Sequence, residues 1–256
     1  MKLSAGRSMG AISGLLAATC AAAPAAAQDV PQPSALTVSG NVALVSDYRF
    51  RGVSQSGGDP AVQGAITVSH ESGLYLGAWG SSIDFTRLGA APVYGTMELD
   101  LTGGWTREIA SGLTADVGLG WYGYPGGHVG KANFFEGYGS LATTYGPARL
   151  KLGANYAWPQ DSLGSRHNLY LYTSADASIP STPLTVSARL GYQDGPLAAA
   201  WIASGGARMT GWDWSLGASA TVFGRITLGA SYIGSSGRSI AGVTDDALVA
   251  TLTASF

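Results

Sequence analysis

The sequence predicts an all-β protein, a closed antiparallel up-and-down transmembrane β-barrel of about 12 strands, and three observations carry that prediction. Only 12% of the 256 residues are charged while 46% are hydrophobic, with 38 glycines and 7 tryptophans. A soluble domain carries about 25% charge, so part of this surface faces something other than water. Apolar and polar residues alternate with period 2 over segments of about ten residues, as in strands whose two faces meet different surroundings. The connections between segments alternate short and long, which is the asymmetry of a barrel with tight turns at one rim, long loops at the other and an even strand number.

The elements follow in order. Lys2 and Arg7 precede a small apolar stretch from Met9 to Ala23, and Ala25-Ala26-Ala27 fits an A-x-A cleavage site. Residues 1–27 are therefore expected to be a removable export signal, and 28–256 a single outer-membrane barrel domain. Cleavage there removes Cys20, the one cysteine, which excludes a disulfide scaffold. A helical span needs about 20 apolar residues. After the signal, the longest stretch free of Asp, Glu, Lys and Arg runs from Val30 to Ser46 and contains Pro31 and Pro33, so no helical span is expected.

Strands are expected at residues 37–50, 60–70, 74–85, 95–107, 112–124, 133–145, 148–158, 166–178, 183–193, 209–222, 225–234 and 246–256. In the first, Val42, Leu44, Tyr48 and Phe50 share one face while Asn41, Asp47, Arg49 and Arg51 share the other. The fourth sets Met97, Leu99, Leu101 and Trp105 against Glu98, Asp100, Thr102 and Thr106, and the tenth sets Trp212, Trp214 and Leu216 against Asp213 and Ser215. Short links such as Glu71–Gly73, Gly146–Pro147 and Phe223–Gly224 alternate with longer ones such as Gly52–Asp59, Asp194–Arg208 and Ser235–Asp245. Aromatic residues are expected in two belts at headgroup level, with Tyr48, Phe50, Phe85, Tyr94, Trp158 and Trp212 among those at the long-loop end and Tyr75, Trp105, Tyr145 and Phe223 among those at the other. The last segment puts Leu248, Leu252 and Phe256 on the outward face and ends on Phe256, like the C-terminal signal read by the outer-membrane barrel-assembly machinery. Pairing it with the first strand leaves no open edge in lipid.

The run Ser46-Asp-Tyr-Arg-Phe-Arg-Gly-Val-Ser-Gln-Ser56, then Pro60–Gly64, His70–Tyr75, Asp84-Phe85 and Glu98–Leu101, resembles the TorF-type porin family of Gram-negative bacteria. The motif match covers about the first third of the mature chain, and the rest shares the strand rhythm and the terminal Phe. The resemblance implies an outer-membrane barrel with a transport role and brings no solute or binding residues with it.

By parity, the residues expected to line the interior include the acids Asp47, Glu98, Asp100, Asp116, Glu136, Asp176 and Asp213 and the bases Arg49, Arg51, Arg149, Lys151, Arg189 and Arg225. The fourth to sixth segments supply acids alone, and the bases come from the first, seventh, ninth and eleventh. This layout predicts either a transverse field across a water-filled pore or ion pairs that fill the barrel. Twelve strands enclose a bore between a side-chain-filled eight-stranded barrel and a sixteen-stranded porin, so a narrow or partly plugged lumen is expected.

A passive channel for small polar solutes, of mixed charge and weak ion selectivity, is the expected function. A non-conducting structural or surface-interaction barrel is the alternative. A lipid hydrolase is the third reading, because His70 lies two residues before Ser72, but both fall in a short turn and no third group accompanies them. No catalytic residue, metal site or cofactor is expected: no nucleotide-binding glycine motif occurs and the three histidines lack metal-ligand spacing. A formal charge of −2 excludes a nucleic-acid partner, leaving outer-membrane lipid, the assembly machinery and small solutes. Nothing in the sequence sets the oligomeric state. Trp201, within Ala198–Ile202, is expected on a loop folded back into the lumen or onto its rim.

Overall fold

The computed structural model describes residues 35–128 and 131–256; the expected export signal, with Cys20, lies outside the described residues. In chain order the strands are β1 (Leu36–Val45), β2 (Arg49–Phe50), β3 (Val53–Ser54), β4 (Ala61–His70), β5 (Leu74–Ser82), β6 (Met97–Ala110), β7 (Leu113–Gly123), β8 (Phe134–Tyr145), β9 (Ala148–Gln160), β10 (Arg166–Ser178), β11 (Leu184–Asp194), β12 (Thr210–Val222), β13 (Ile226–Ser235) and β14 (Ala247–Ser255). Two short helices, α1 (Ala91–Tyr94) and α2 (Ala199–Ala203), lie in the connections. All strands but β2 and β3 join into one closed antiparallel barrel of twelve, and β2 and β3 pair only with each other.

Closure pairs β1 with β14, with Leu44 opposite Leu252 and Val42 opposite Ala254. The ladder extends past β14: the Phe256 N–H donates to the Gly40 carbonyl at 2.9 Å and the Gly40 N–H returns to the Phe256 carbonyl at 3.0 Å. A Cβ at Gly40 would collide with the Phe256 ring, so glycine there gives the terminal aromatic its seat. Leu248, Leu252 and Phe256 all point outward and are well exposed. With both wall edges paired, every strand finds its hydrogen-bond partners inside the sheet, as a hydrocarbon surround demands.

The two-residue period separates two faces. Leu76, Leu216 and Leu152 stand outward at 69%, 65% and 64% exposure, in a continuous apolar belt. Charged side chains with outward parity on the wall strands occur only at strand ends among the described residues, at Arg107 and Asp194. Replacing Leu216 with Arg, in the middle of that belt, should cost about 2–4 kcal/mol of folding free energy in lipid vesicles, read by urea titration. Ser231→Arg, at the same height but facing inward, should cost under about 1 kcal/mol, since the interior admits polar groups. Equal costs would contradict the division into a lipid-facing and an interior face.

Tyrosines dominate one part of the inner face and lie flat because a glycine stands on the adjacent strand. Tyr138 covers Gly118 and Tyr170 covers Gly191, where any Cβ would overlap the ring. The inner faces of β13, β14, β1 and β4 toward the short-turn rim carry small groups instead, among them Thr227, Ser231, Thr251, Ser39 and Thr67. Large side chains on one arc and small ones on the other leave the interior space off-centre.

The short turns and both ends of the described chain gather at one rim, and all the long connections at the other. Five of the aromatics expected in the belts do not join them. Tyr48, Phe85 and Tyr75 are buried inside, and Phe50 and Tyr94 pack against interior rings. Their side chains have protein partners on the inner side, whereas Tyr145, Phe223, Trp158 and Trp212 remain outside.

Candidate functional site

The first wall strand is shorter than its alternation predicts, and the difference creates the site. β1 ends at Val45, opposite Ala61 of β4. The chain then leaves the wall and crosses the interior as a small hairpin, β2 and β3, with Arg49 opposite Ser54 and Phe50 opposite Val53. Its two turn residues, Arg51 and Gly52, have φ of +50° and +81°. Positive φ at both positions suits a two-residue turn joining right-twisted strands. Glycine at 52 is also a steric need, because a Cβ would collide with Ser235. Arg51 adopts a conformation uncommon outside Gly, Asn and Asp, and its side chain is what that geometry delivers.

That side chain reaches across to β8. Arg51 Nη1 and Nη2 donate to Glu136 Oε1 and Oε2 at 3.0 and 2.5 Å, a two-pronged pair with 5% and 1% side-chain exposure. Glu136 accepts two more bonds, from Tyr122 OH at 3.1 Å and Asn155 Nδ2 at 3.0 Å. The guanidinium lies over the Tyr170 ring at 4.3 Å and the Phe50 ring at 4.6 Å. Phe50 meets Tyr122 edge-on at 5.9 Å, and Tyr48 meets Trp79 at 5.2 Å. The hairpin thereby touches β5, β7, β8 and β10, and through Gly52 comes close to β12 and β13. It spans the lumen.

A second anchor holds its base. Arg49 donates through Nε to Asp47 at 2.6 Å and through Nη2 to Asp245 at 3.0 Å. Asp47 also accepts from Ser54 Oγ at 2.6 Å and Ser56 Oγ at 3.2 Å. Burial pushes the Asp245 carboxyl up, but hydrogen bonds from Arg49 and the Gly242 backbone outweigh it and hold the group below its usual range. The loops of the long-loop rim fold onto the hairpin: Ser54 N–H donates to Val243 O, Asp84 N–H to Gln55 O, and Arg87 Nε to Gly57 O. Val53, Ala199 and Val243 form a small buried cluster with Ile202 and Ile240 against it. The segment with Trp201 is thus folded back over the hairpin, as α2.

Above the hairpin this leaves a cavity of about 460 Å³. Phe50, Val53 and Gln55 are its floor, and loop residues including Tyr94, Leu163 and Trp201 are its walls.

The residues read as interior from the sequence fall in three groups. Glu98, Asp100, Asp116, Glu136, Arg149, Lys151, Asp176, Arg189 and Asp213 stand on the inner face of wall strands. Asp47, Arg49 and Arg51 are inside, but on the inturned segment and not on the wall, a correction to the strand expected at 37–50. Arg225 is a second correction: it is exposed in the turn between β12 and β13, outside the barrel interior, because β13 begins one residue later. Arg49 and Arg51 are in ion pairs, while Arg149, Lys151 and Arg189 stand on the inner faces of β9 and β11, with β8 alone separating β9 from β7 and its Asp116. Arg189 lies over the Tyr172 ring at 4.2 Å. Tyr75 OH donates to Asp116 at 2.7 Å and Tyr170 OH to Asp213 at 2.9 Å. The His70 and Ser72 side chains do meet, at 2.8 Å, but the Ser72 N–H also donates to His70 Nδ1 and the two groups close the turn.

This geometry defines a class: a small transmembrane β-barrel whose first long loop turns inward. Its fold resembles that of outer-membrane porins. The NanC porin overlays with a TM-score of 0.56 at 10% identity, covering 86% of this chain and 99% of that one. The KdgM porin gives 0.54 at 8% identity, covering 86% and 97%. An outer membrane channel from Pseudomonas putida F1 gives 0.50 at 9%, covering 89% and 99%. At these identities the likeness is one of fold. The chain belongs to the Gcw_chp family, described as bacterial proteins of unknown function, whose model matches residues 29–256. No curated protein matches it.

Proposed function

We propose that this protein is a narrow porin-like channel for passive diffusion of small polar solutes across the outer membrane, with the long-loop rim outside. The observation that carries the reading is the inturned hairpin, held by buried ion pairs across the interior of a closed barrel. A barrel with a purely structural role has no evident use for a loop fastened across its bore, whereas a channel needs one to set its width. The resemblance of Ser46–Ser56 to TorF-type porins supports it, since that run is the hairpin itself. KdgM has been crystallised with oligogalacturonate, which fits solute passage through a barrel of this size. Here the interior mixes acids and bases, so weak ion selectivity is expected. The export signal at 1–27 and the outward Leu248, Leu252 and Phe256 as an assembly signal belong to the same reading.

Liposome swelling tests it. Vesicles containing the protein should admit a pentose faster than a hexose and exclude a trisaccharide; no swelling with any sugar would favour a non-conducting surface barrel. The charge layout has its own test in planar bilayers under a salt gradient. Replacing Arg149 and Lys151 with Gln should shift the reversal potential toward cation preference, because the acids of β6 and β7 then face the path with less opposition. An unchanged potential would show that the path does not pass them.

A further inference from the structure

The cavity above the hairpin has a composition that a sieve for sugars would not need. Its volume lies in the range of small-molecule sites, about 300–1,000 Å³. Six aromatic rings line it: Phe50, Phe85, Tyr94, Tyr124, Phe134 and Trp201. They offer both faces and edges, with Phe85 and Tyr94 tilted at 4.5 Å and Tyr94 and Tyr124 perpendicular at 4.7 Å. Polar groups on the lining are few, and several are already engaged. The Tyr124 hydroxyl donates to Glu98 at 3.1 Å and Gln55 Nε2 donates to the Val53 carbonyl at 3.0 Å.

Two of the remaining polar groups are suited to an anion. Arg166 is the one formally charged residue of the lining among the described residues. Its guanidinium lies 5.3 Å from the centre of the Trp201 ring, with Nη1 3.7 Å from Met209 Sδ, and no carboxylate lies within ion-pair distance of it among the described residues. Ser162 Oγ, also on the lining, is buried without a hydrogen-bond partner among the described residues. A guanidinium that no carboxylate holds, with Nη1 donating only to the weak acceptor Met209 Sδ, matches a carboxylate two-pronged, while the ring-lined wall matches an aromatic guest in stacked or edge-on contact.

We infer that this cavity is a recognition site for small aromatic carboxylates: the ring packs among Tyr94, Phe134 and Trp201 above Phe50, and the carboxylate meets Arg166, with Ser162 Oγ a second donor. The site names a solute class for the proposed channel and rests on that reading only for passage through the barrel. Binding itself needs no conductance. A sugar acid shares the charge but would leave its hydroxyls against rings that offer few partners, and burying unpaired polar groups is costly.

Isothermal titration of the detergent-solubilised, full-length protein tests the inference, with benzoate, benzyl alcohol and glucuronate as probes. Benzoate should bind saturably at one site, at least tenfold more tightly than either of the others. Arg166→Gln should weaken benzoate at least tenfold and leave benzyl alcohol unchanged. Arg166 is exposed, so this variant should fold, which the mobility shift between heated and unheated samples on a gel checks. Trp201→Leu provides a second variant, expected to weaken both ring compounds. Non-saturable benzoate binding, equal benzoate affinity in Arg166→Gln, or tighter glucuronate binding would each overturn the site. Benzoate binding in a protein that passes no solute would overturn the channel reading and leave the site standing; solute flux without benzoate binding would do the reverse.

Discussion

Arg51→Ala should lower the unfolding free energy in lipid vesicles by about 3 kcal/mol, because it strands a carboxylate that is 1% exposed. Tyr122 and Asn155 still donate to Glu136, which is why the expected loss sits at the low end of about 3–5 kcal/mol for a broken buried pair. The pair lies among other acids on the same arc. Asp100 and Glu98 are buried nearby on the inner face of β6, and both Asp100 oxygens and Glu98 Oε2 lack hydrogen-bond partners among the described residues. Removing the guanidinium leaves that arc with more uncompensated charge. Backbone strain is separable from charge here. Arg51 has a φ of +50°, so Arg51→Gly should be less damaging than Arg51→Ala by roughly 1 kcal/mol, since only glycine holds positive φ without penalty. Pairing Arg51→Met with Glu136→Leu should recover most of the loss, because two apolar groups need no partner. A loss under about 1 kcal/mol for Arg51→Ala would mean that the hairpin is not fastened by this contact.

Excising the hairpin should have the largest functional effect. Val45 and Ala61 are already neighbours in the sheet, so Ser46–Pro60 can be replaced by Asn-Gly, a dipeptide suited to a tight two-residue turn. The barrel wall keeps its ladder. Liposomes carrying this variant should swell with sugars that the parent excludes, a trisaccharide among them. Loss of Arg49 and Arg51 also uncovers Glu98, Asp100 and Glu136 to water, so the enlarged pore should prefer cations more strongly than the parent. The same size limit in both proteins would show that the constriction lies elsewhere, in the loops or among the tyrosines of the lower wall.

The barrel itself was legible in the sequence because its cause is local. Each wall strand must alternate to face apolar surroundings on one side and the interior on the other, so parity alone placed Glu98, Asp100, Asp116, Glu136, Arg149, Lys151 and Arg189 on the inner face. The hairpin was not legible by that rule. Asp47, Arg49 and Arg51 have the same two-residue spacing whether the chain continues up the wall or turns inward, and β2 and β3 are too short to show a period of their own. The signal available was Arg51-Gly52 between Phe50 and Val53, but a turn that places a non-glycine residue at positive φ has a weak signature. The five aromatics that left the expected belts did so for a related reason. Tyr48, Phe50 and Tyr94 have positions along the chain that fit a headgroup girdle, yet their rings are held by Trp79, Tyr122 and Tyr124, contacts that exist only once the loop has folded in. Arg225 shows the limit of parity at strand ends, where one residue moves a side chain from the lumen to a turn.

The central claim is that the inturned hairpin sets the width of a conducting barrel, and single-channel recording in planar bilayers tests it most directly. The unmodified protein should give small, resolvable current steps, and the variant with Ser46–Pro60 replaced by Asn-Gly should give steps several-fold larger at the same salt concentration. Equal steps in the two proteins, or silence in both, would contradict it.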